Sequence, residues 1–189
     1  MATDNIQRLL ELDQRLVERV VSRDREWQGK IFAVEHLKVE LPDKSHDMRE
    51  IVRHHGGAGV CAIREGKICL VRQYRVALGR MTLEIPAGKL DPNEDPATCA
   101  ARELTEETGL VAGRLELLAN TAGAPGFNDE KTRVFVAYDL RQGDACPDEG
   151  ELVDVVWLPV ADMVEAIRAG LIEDAKTVVS VLAAAAGII

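Results

Sequence analysis

Three carboxylates, Glu103, Glu106 and Glu107, fall at i, i+3 and i+4 within AGKLDPNEDPATCAARELTEETGL, residues 87–110. On a helix that spacing gathers them on one side, where like charges at i, i+4 cost about 0.2–0.5 kcal/mol a pair. The stretch holds six carboxylates against two cations, Lys89 and Arg102, and no basic residue lies four positions from Glu103 or Glu107. A solvated acidic face is the plain alternative. A hard divalent cation such as Mg²⁺ resolves the repulsion better, because it takes oxygen ligands and a rigid helix presents several of them near a loop carbonyl. Arg102 stands beside them, placed to orient a carboxylate through a two-point contact.

The helix itself is bracketed by local signals. Asp95 is a good N-cap, Pro96 suits the first helical position and Gly109 suits the residue past the end. Its apolar side runs Ala97, Ala100, Ala101, Leu104, which predicts the three glutamates on another face.

Strand signals surround this helix. KIFAVEHLKVEL (30–41) and MREIVRHH (48–55) read as strands across the turn PDKSHD. AGVCAIREGKICLVRQY (58–74) reads as a hairpin turning at REGK. MTLEIPAG, GRLELLA, KTRVFVAYDL and ELVDVVWLP add strands, and VADMVEAIRAG and EDAKTVVSVLAAAA close the chain as helices. The opening segment, residues 1–21, reads as an amphipathic helix. The pattern predicts an α+β chain with a mixed or mainly antiparallel sheet. Residues 1–55 read as a small separate unit and 56–189 as the main domain.

Composition narrows the function classes. With 189 residues, 47% apolar and 29% charged, the chain can bury a real core. A formal net charge of −9 argues against sequence-independent nucleic-acid binding, which needs a basic footprint. The apolar tail VVSVLAAAAGII is too short for a membrane span, so no membrane partner is expected, and the N-terminus lacks signal-peptide features. Cys61, Cys69, Cys99 and Cys146 form no metal spacing, which predicts reduced thiols and a cytoplasmic location. His54 and His55 have no Cys or His partner at metal spacing and read as strand-end residues.

Gly88, Glu94, Arg102, Glu103, Leu104, Glu106, Glu107, Gly109 and Leu110 match, without a gap, the signature box of the Nudix hydrolases: G, five residues, E, seven residues, then R-E-aliphatic-x-E-E-x-G-aliphatic. The resemblance implies an α/β/α sandwich with a mixed sheet between helices, and hydrolysis of a nucleoside diphosphate linked to another moiety. The flanks are similar to the ADP-ribose pyrophosphatase branch: EIPAG precedes the box, and Pro125 follows Leu110 by fifteen residues. Likeness to that branch runs from about residue 28 to about 183. It implies Mg²⁺-dependent cleavage of ADP-ribose to AMP and ribose 5-phosphate, with Mn²⁺ as a substitute, by a homodimer paired through the N-terminal region.

Carried over by position, the resemblance implies metal ligands at Glu103, Glu107 and the backbone carbonyl of Ala87, with Glu106 supporting them or binding a second ion. Arg49 and Arg75 resemble phosphate-contacting positions, and Glu84 a carboxylate near the substrate. The general base falls on the loop GDACPDEGELVDVVWLP, where Glu151 matches best and Glu149 is the runner-up. The family places an aromatic ring on the adenine, yet this chain is only 4% aromatic; Trp27 and Phe127 are the candidates, and Trp157 reads as core. Two rivals stand beside this reading: another nucleotide sugar or dinucleotide as substrate, and a sensor that binds without cleaving. Sensors usually lose box carboxylates, and this box is complete.

Overall fold

The computed structural model describes residues 2–146 and 152–189. They divide into two compact units, Met1–His54 with Ala124–Asp129, and His55–Gly123 with Glu130–Ile189.

The first unit opens with helix α1 (Ala2–Leu9), followed by strands β1 (Arg19–Gln28), β2 (Phe32–Glu40) and β3 (His46–His54) in an antiparallel sheet of that order. The helix expected over 1–21 therefore ends early, and the strand β1 was not foreseen. Asp13 accepts hydrogen bonds from the backbone and side chain of Arg15, a local contact that competes with helix continuation. Beyond it, β-branched Val20 pairs with Val39 in the ladder with β2, and Val21 falls at the register shift between Val20 and Ser22. Every residue of β1 is exposed, so no buried–exposed alternation marks it in the sequence. The segment 124–129 runs along β3: Val52 N–H donates to the Phe127 carbonyl at 2.7 Å, and Asp129 N–H to the Val52 carbonyl at 3.2 Å.

The second unit is built from β4 (Gly57–Arg64), β5 (Lys67–Arg75), β6 (Arg80–Glu84), β7 (Ala87–Lys89), helix α2 (Pro96–Thr108), β8 (Leu110–Val111), β9 (Arg114–Ala122), β10 (Lys131–Tyr138), β11 (Arg141–Gln142), β12 (Asp154–Pro159), and helices α3 (Val160–Arg168) and α4 (Ala175–Ala185). Its main sheet runs β12-β5-β4-β10-β9, with β6 on β5 and β7 on β4. The β4–β10 pair is parallel and the other pairs are antiparallel, so the sheet is mixed as expected. The hairpin at REGK turns on two residues, Glu65 and Gly66, both with positive φ (51° and 72°); Gly66 adopts this without Cβ strain.

Strand β4 shows why the sheet sits between helices. Ala58, Val60 and Ala62 pack with Cys99, Ala100 and Leu104 of α2, whereas Cys61 packs with Met163 of α3 and Val181 of α4. Successive residues of a strand face opposite sides, so a strand buried on both faces is apolar throughout. This is the α/β/α sandwich. Cys61 and Cys69 are fully buried core residues, and burial pushes both thiols up to about 12.

Candidate active site

Helix α2 begins and ends where its caps predict. Asp95 accepts from Ala97 N–H and Thr98 N–H, and Gly109 closes the helix in the left-handed region. Its orientation differs from the expectation. Glu103 and Glu107 are 8% and 2% exposed and lie on the buried side with Ala100 and Leu104, whereas Ala101 faces solvent. The helix thus turns two carboxylates toward the sheet, where strand β7 receives them.

Two backbone features of β7 explain how the carboxylates fit. Ala87 N–H donates to Glu107 Oε2 at 2.9 Å. Gly88 lies so close to Glu103 that a Cβ there would collide with its carboxylate. Only a residue without a side chain allows this approach. Strand β7 is held in turn by β4, through Gly57–Lys89, Ala58–Gly88 and Ala87–Gly59 pairing.

Arg102 answers the charge crowding that the sequence poses. Its Nε and Nη2 contact the two oxygens of Glu94 at 3.0 and 3.1 Å, and its Nη1 reaches Glu103 Oε1 and Glu106 Oε2, both at 2.8 Å. Arg102 adjoins Glu103 and lies at i, i+4 from Glu106, so one guanidinium reaches both. Glu94 also accepts from Asp91 N–H, bracing the loop before the helix. Arg102 holds the Glu94 carboxyl down at about 2.

A second group of charges lies in the same unit. Glu84, 5% exposed, receives Arg75 Nε and Nη2 at 2.7 and 2.8 Å, Lys176 Nζ at 2.6 Å and Thr82 Oγ1 at 2.8 Å. Burial alone would push Glu84 up; the Arg75 and Lys176 contacts outweigh it and hold the carboxyl at about 2. Arg75 Nη1 makes no hydrogen bond to any described residue, so one edge of this guanidinium stays available. Lys176 and Asp174 were not singled out from the sequence. Asp174 caps α4 and contacts Lys176 at 2.8 Å, and Lys176 stands 92 positions from Glu84, a separation that no local pattern reports.

Of the remaining predicted residues, Arg49, Trp27 and Phe127 belong to the first unit. In the first unit Arg49 pairs with Glu18 at 2.7 Å and with Asp47 at 2.5 Å. Trp27, half exposed, lies over Gly29 with its ring centroid 5.0 Å from that of Phe32. Phe127 is exposed on the segment beside β3. Trp157 is partly buried against the α2 core under the Arg64 guanidinium. Glu149 and Glu151 lie outside the described residues.

Among the described residues no three His, Cys, Asp or Glu side chains converge into a ready metal cage. The donor set nevertheless fits a hard divalent cation. Glu103 and Glu107 supply carboxylate oxygens from successive helical turns, and Gly88 lets the β7 backbone come up to them. An ion of the Mg²⁺ type needs only one or two protein carboxylates, since it retains waters and takes substrate phosphates.

Comparison with known proteins agrees with this geometry. Residues 53–179 match the family model described as the NUDIX domain. The chain belongs to the Nudix family. It is 40% identical over 167 residues to a methanol dehydrogenase activator of Bacillus methanolicus, covering 87% of this chain and 90% of that protein. It is 38% identical over 165 residues to an ADP-ribose pyrophosphatase of Bacillus subtilis (strain 168), covering 86% and 89%. A crystal structure of an ADP compounds hydrolase superposes with a TM-score of 0.80 at 23% identity, covering 92% of this Nudix chain and 95% of the other, which establishes the shared fold.

Proposed function

We propose that this Nudix protein hydrolyses the pyrophosphate bond of ADP-ribose, giving AMP and ribose 5-phosphate, with Mg²⁺ or Mn²⁺ as the required ion. The observation that carries the reading is a complete carboxylate box, with Glu103 and Glu107 turned onto β7, in a chain 38% identical to a protein named ADP-ribose pyrophosphatase. A divalent cation held there would supply charge neutralisation for the diphosphate and activation of water.

The residues of this chain divide the remaining work. Glu103, Glu107 and the Ala87 carbonyl would hold the ion, and Glu106 would support them or bind a second one. Arg102 and Glu94 fix the helix face from which these carboxylates project. Arg75, clamped by Glu84, offers Nη1 to a phosphate oxygen. Glu151, with Glu149 as the runner-up, accepts a proton from water as its oxygen bonds to phosphorus and the bridging P–O bond breaks. Arg49 and Trp27 enter through family likeness alone, Arg49 toward phosphate and Trp27, or else Phe127, toward the adenine.

The protein acts as a homodimer in a cytoplasmic setting in this reading. Exposed Val20, Val21, Trp27, Phe32 and Met48 in the first unit support the former, and four free thiols the latter. Among the described residues no helix is long and apolar enough to cross a membrane. The intact box carboxylates count against a sensor that binds without cleaving. A hydrolysis panel of ADP-ribose, other nucleotide sugars and dinucleotides, with products identified, tests the assignment. Turnover of another compound without AMP release from ADP-ribose would replace it.

A further inference from the structure

A cavity of about 500 Å³ opens in the second unit between the first turn of α2 and strands β9 and β10. It shares no lining residue with the carboxylates of the metal face or with the Arg75–Glu84 pair. Lys131 and Arg133 form its charged wall. With Phe135 they occupy positions i, i+2 and i+4 of β10 and so share one face of the sheet. Phe135 packs with α2, which identifies this as the α2 side.

Two cations side by side repel, and neighbouring strands usually answer them with carboxylates. Here they do not. Lys131 stands opposite Ala122, and Arg133 lies between Asn120 on β9 and Ala58 on β4. Neither side chain makes an ion pair or hydrogen bond with any described residue. Elsewhere in this acidic chain arginines such as Arg53, Arg72, Arg75, Arg102 and Arg114 are held by carboxylates. The carboxylate lining the cavity, Asp95, caps the helix through Oδ1, which accepts from Ala97 N–H and Thr98 N–H, and the two cations outnumber it. The attraction for an anion therefore comes from Lys131 and Arg133, not from the helix terminus.

The rest of the wall sets the shape of the ligand. Pro96, Leu117 and Phe135 give an apolar side, and Asn120 adds an amide. The volume falls within the roughly 300–1,000 Å³ of small-molecule sites. An arginine fork with an adjacent lysine suits a phosphate group, as two-point donor and point charge together. We propose that this cavity is a second ligand site, separate from the hydrolytic one, for a small molecule bearing a phosphate group on an apolar or planar body.

The test is an amide-resolved NMR titration of the full chain in Mg²⁺, with inorganic phosphate and with AMP as probes. The Lys131→Gln/Arg133→Gln double variant and the single Lys131→Gln variant run alongside. Saturable shifts of the Ala122, Lys131 and Arg133 amides with either probe are expected. In the double variant the affinity read at those amides should fall at least about tenfold. Hydrolysis and the remaining amide spectrum should be unchanged. Binding seen only at the Ala87–Lys89 amides would overturn the proposal. So would no saturable shift at the cavity up to about 10 mM of either probe, far weaker than ordinary metabolite affinities, or equal affinity in the double variant.

Discussion

Arg75 and Glu84 lock together through two parallel hydrogen bonds, Nε to Oε1 at 2.7 Å and Nη2 to Oε2 at 2.8 Å, on the paired strands β5 and β6. The carboxylate is nearly buried, whereas the arginine side chain is 42% exposed. The acid fixes the guanidinium plane and leaves Nη1 facing outward. Glu84 thus sets the direction of the Arg75 guanidinium.

Glu84→Gln should therefore destabilise the fold and weaken substrate binding together. Losing one partner of a buried pair costs about 3–5 kcal/mol; the exposure of Arg75 brings the expected loss to about 2–3 kcal/mol. A carboxyl held at about 2 against an ordinary 4.5 binds its proton less readily folded than unfolded. Its stabilisation is complete above pH 4.5 and is lost as pH falls toward 2. Urea unfolding at pH 7 and pH 3 checks both points: the difference between wild type and variant should shrink at the lower pH. An equal difference at both would show that the ionised pair is not what stabilises.

Glu107→Gln and Glu94→Gln separate metal binding from loop support. Glu107 meets β7 directly, whereas Glu94 acts through Arg102. Glu107→Gln is expected to lower kcat by more than about 10²-fold and Glu94→Gln by about tenfold, the range for groups that orient ligands. Raising Mg²⁺ should partly restore the Glu107 variant. Kinetics across an Mg²⁺ series decide it, and equal losses with no rescue would contradict the assignment.

Glu151→Gln and Glu149→Gln test the proposed general base. Glu151→Gln should lower kcat by at least about 10²-fold with substrate Kd nearly unchanged, the lower end for loss of a general base. Glu149→Gln should be mild. Single-turnover rates and equilibrium binding on both variants provide the comparison, and the reverse order would transfer the role to Glu149.

A homodimer should be found at micromolar concentration by light scattering. The first unit is small for an independent core, and β1 is exposed along its whole length. A monomeric mass would remove the N-terminal region as a pairing surface.

What could be read from the chain depended on whether its signals were local. Asp95, Pro96 and Gly109 announce α2 within fourteen positions, and Glu65-Gly66 announces its hairpin, so both were legible. The direction in which α2 faces was not. Counting alanines as the buried side ignored that Glu103 and Glu107 are buried by their contacts with β7. Strand β1 carries charges on both faces and shows no period. The Lys176–Glu84 contact joins residues 92 positions apart, and only the fold brings them together.

The most direct measurement of the central claim is product analysis of ADP-ribose hydrolysis, with and without chelator, for wild type and Glu107→Gln. The account predicts AMP and ribose 5-phosphate in equal amounts with Mg²⁺, none with chelator, and a rate reduced more than about 10²-fold in the variant. Undiminished AMP release by Glu107→Gln, or in chelator, would contradict a metal-dependent centre on the α2 carboxylates; intact ADP-ribose alongside cleavage of another nucleotide sugar would contradict the substrate.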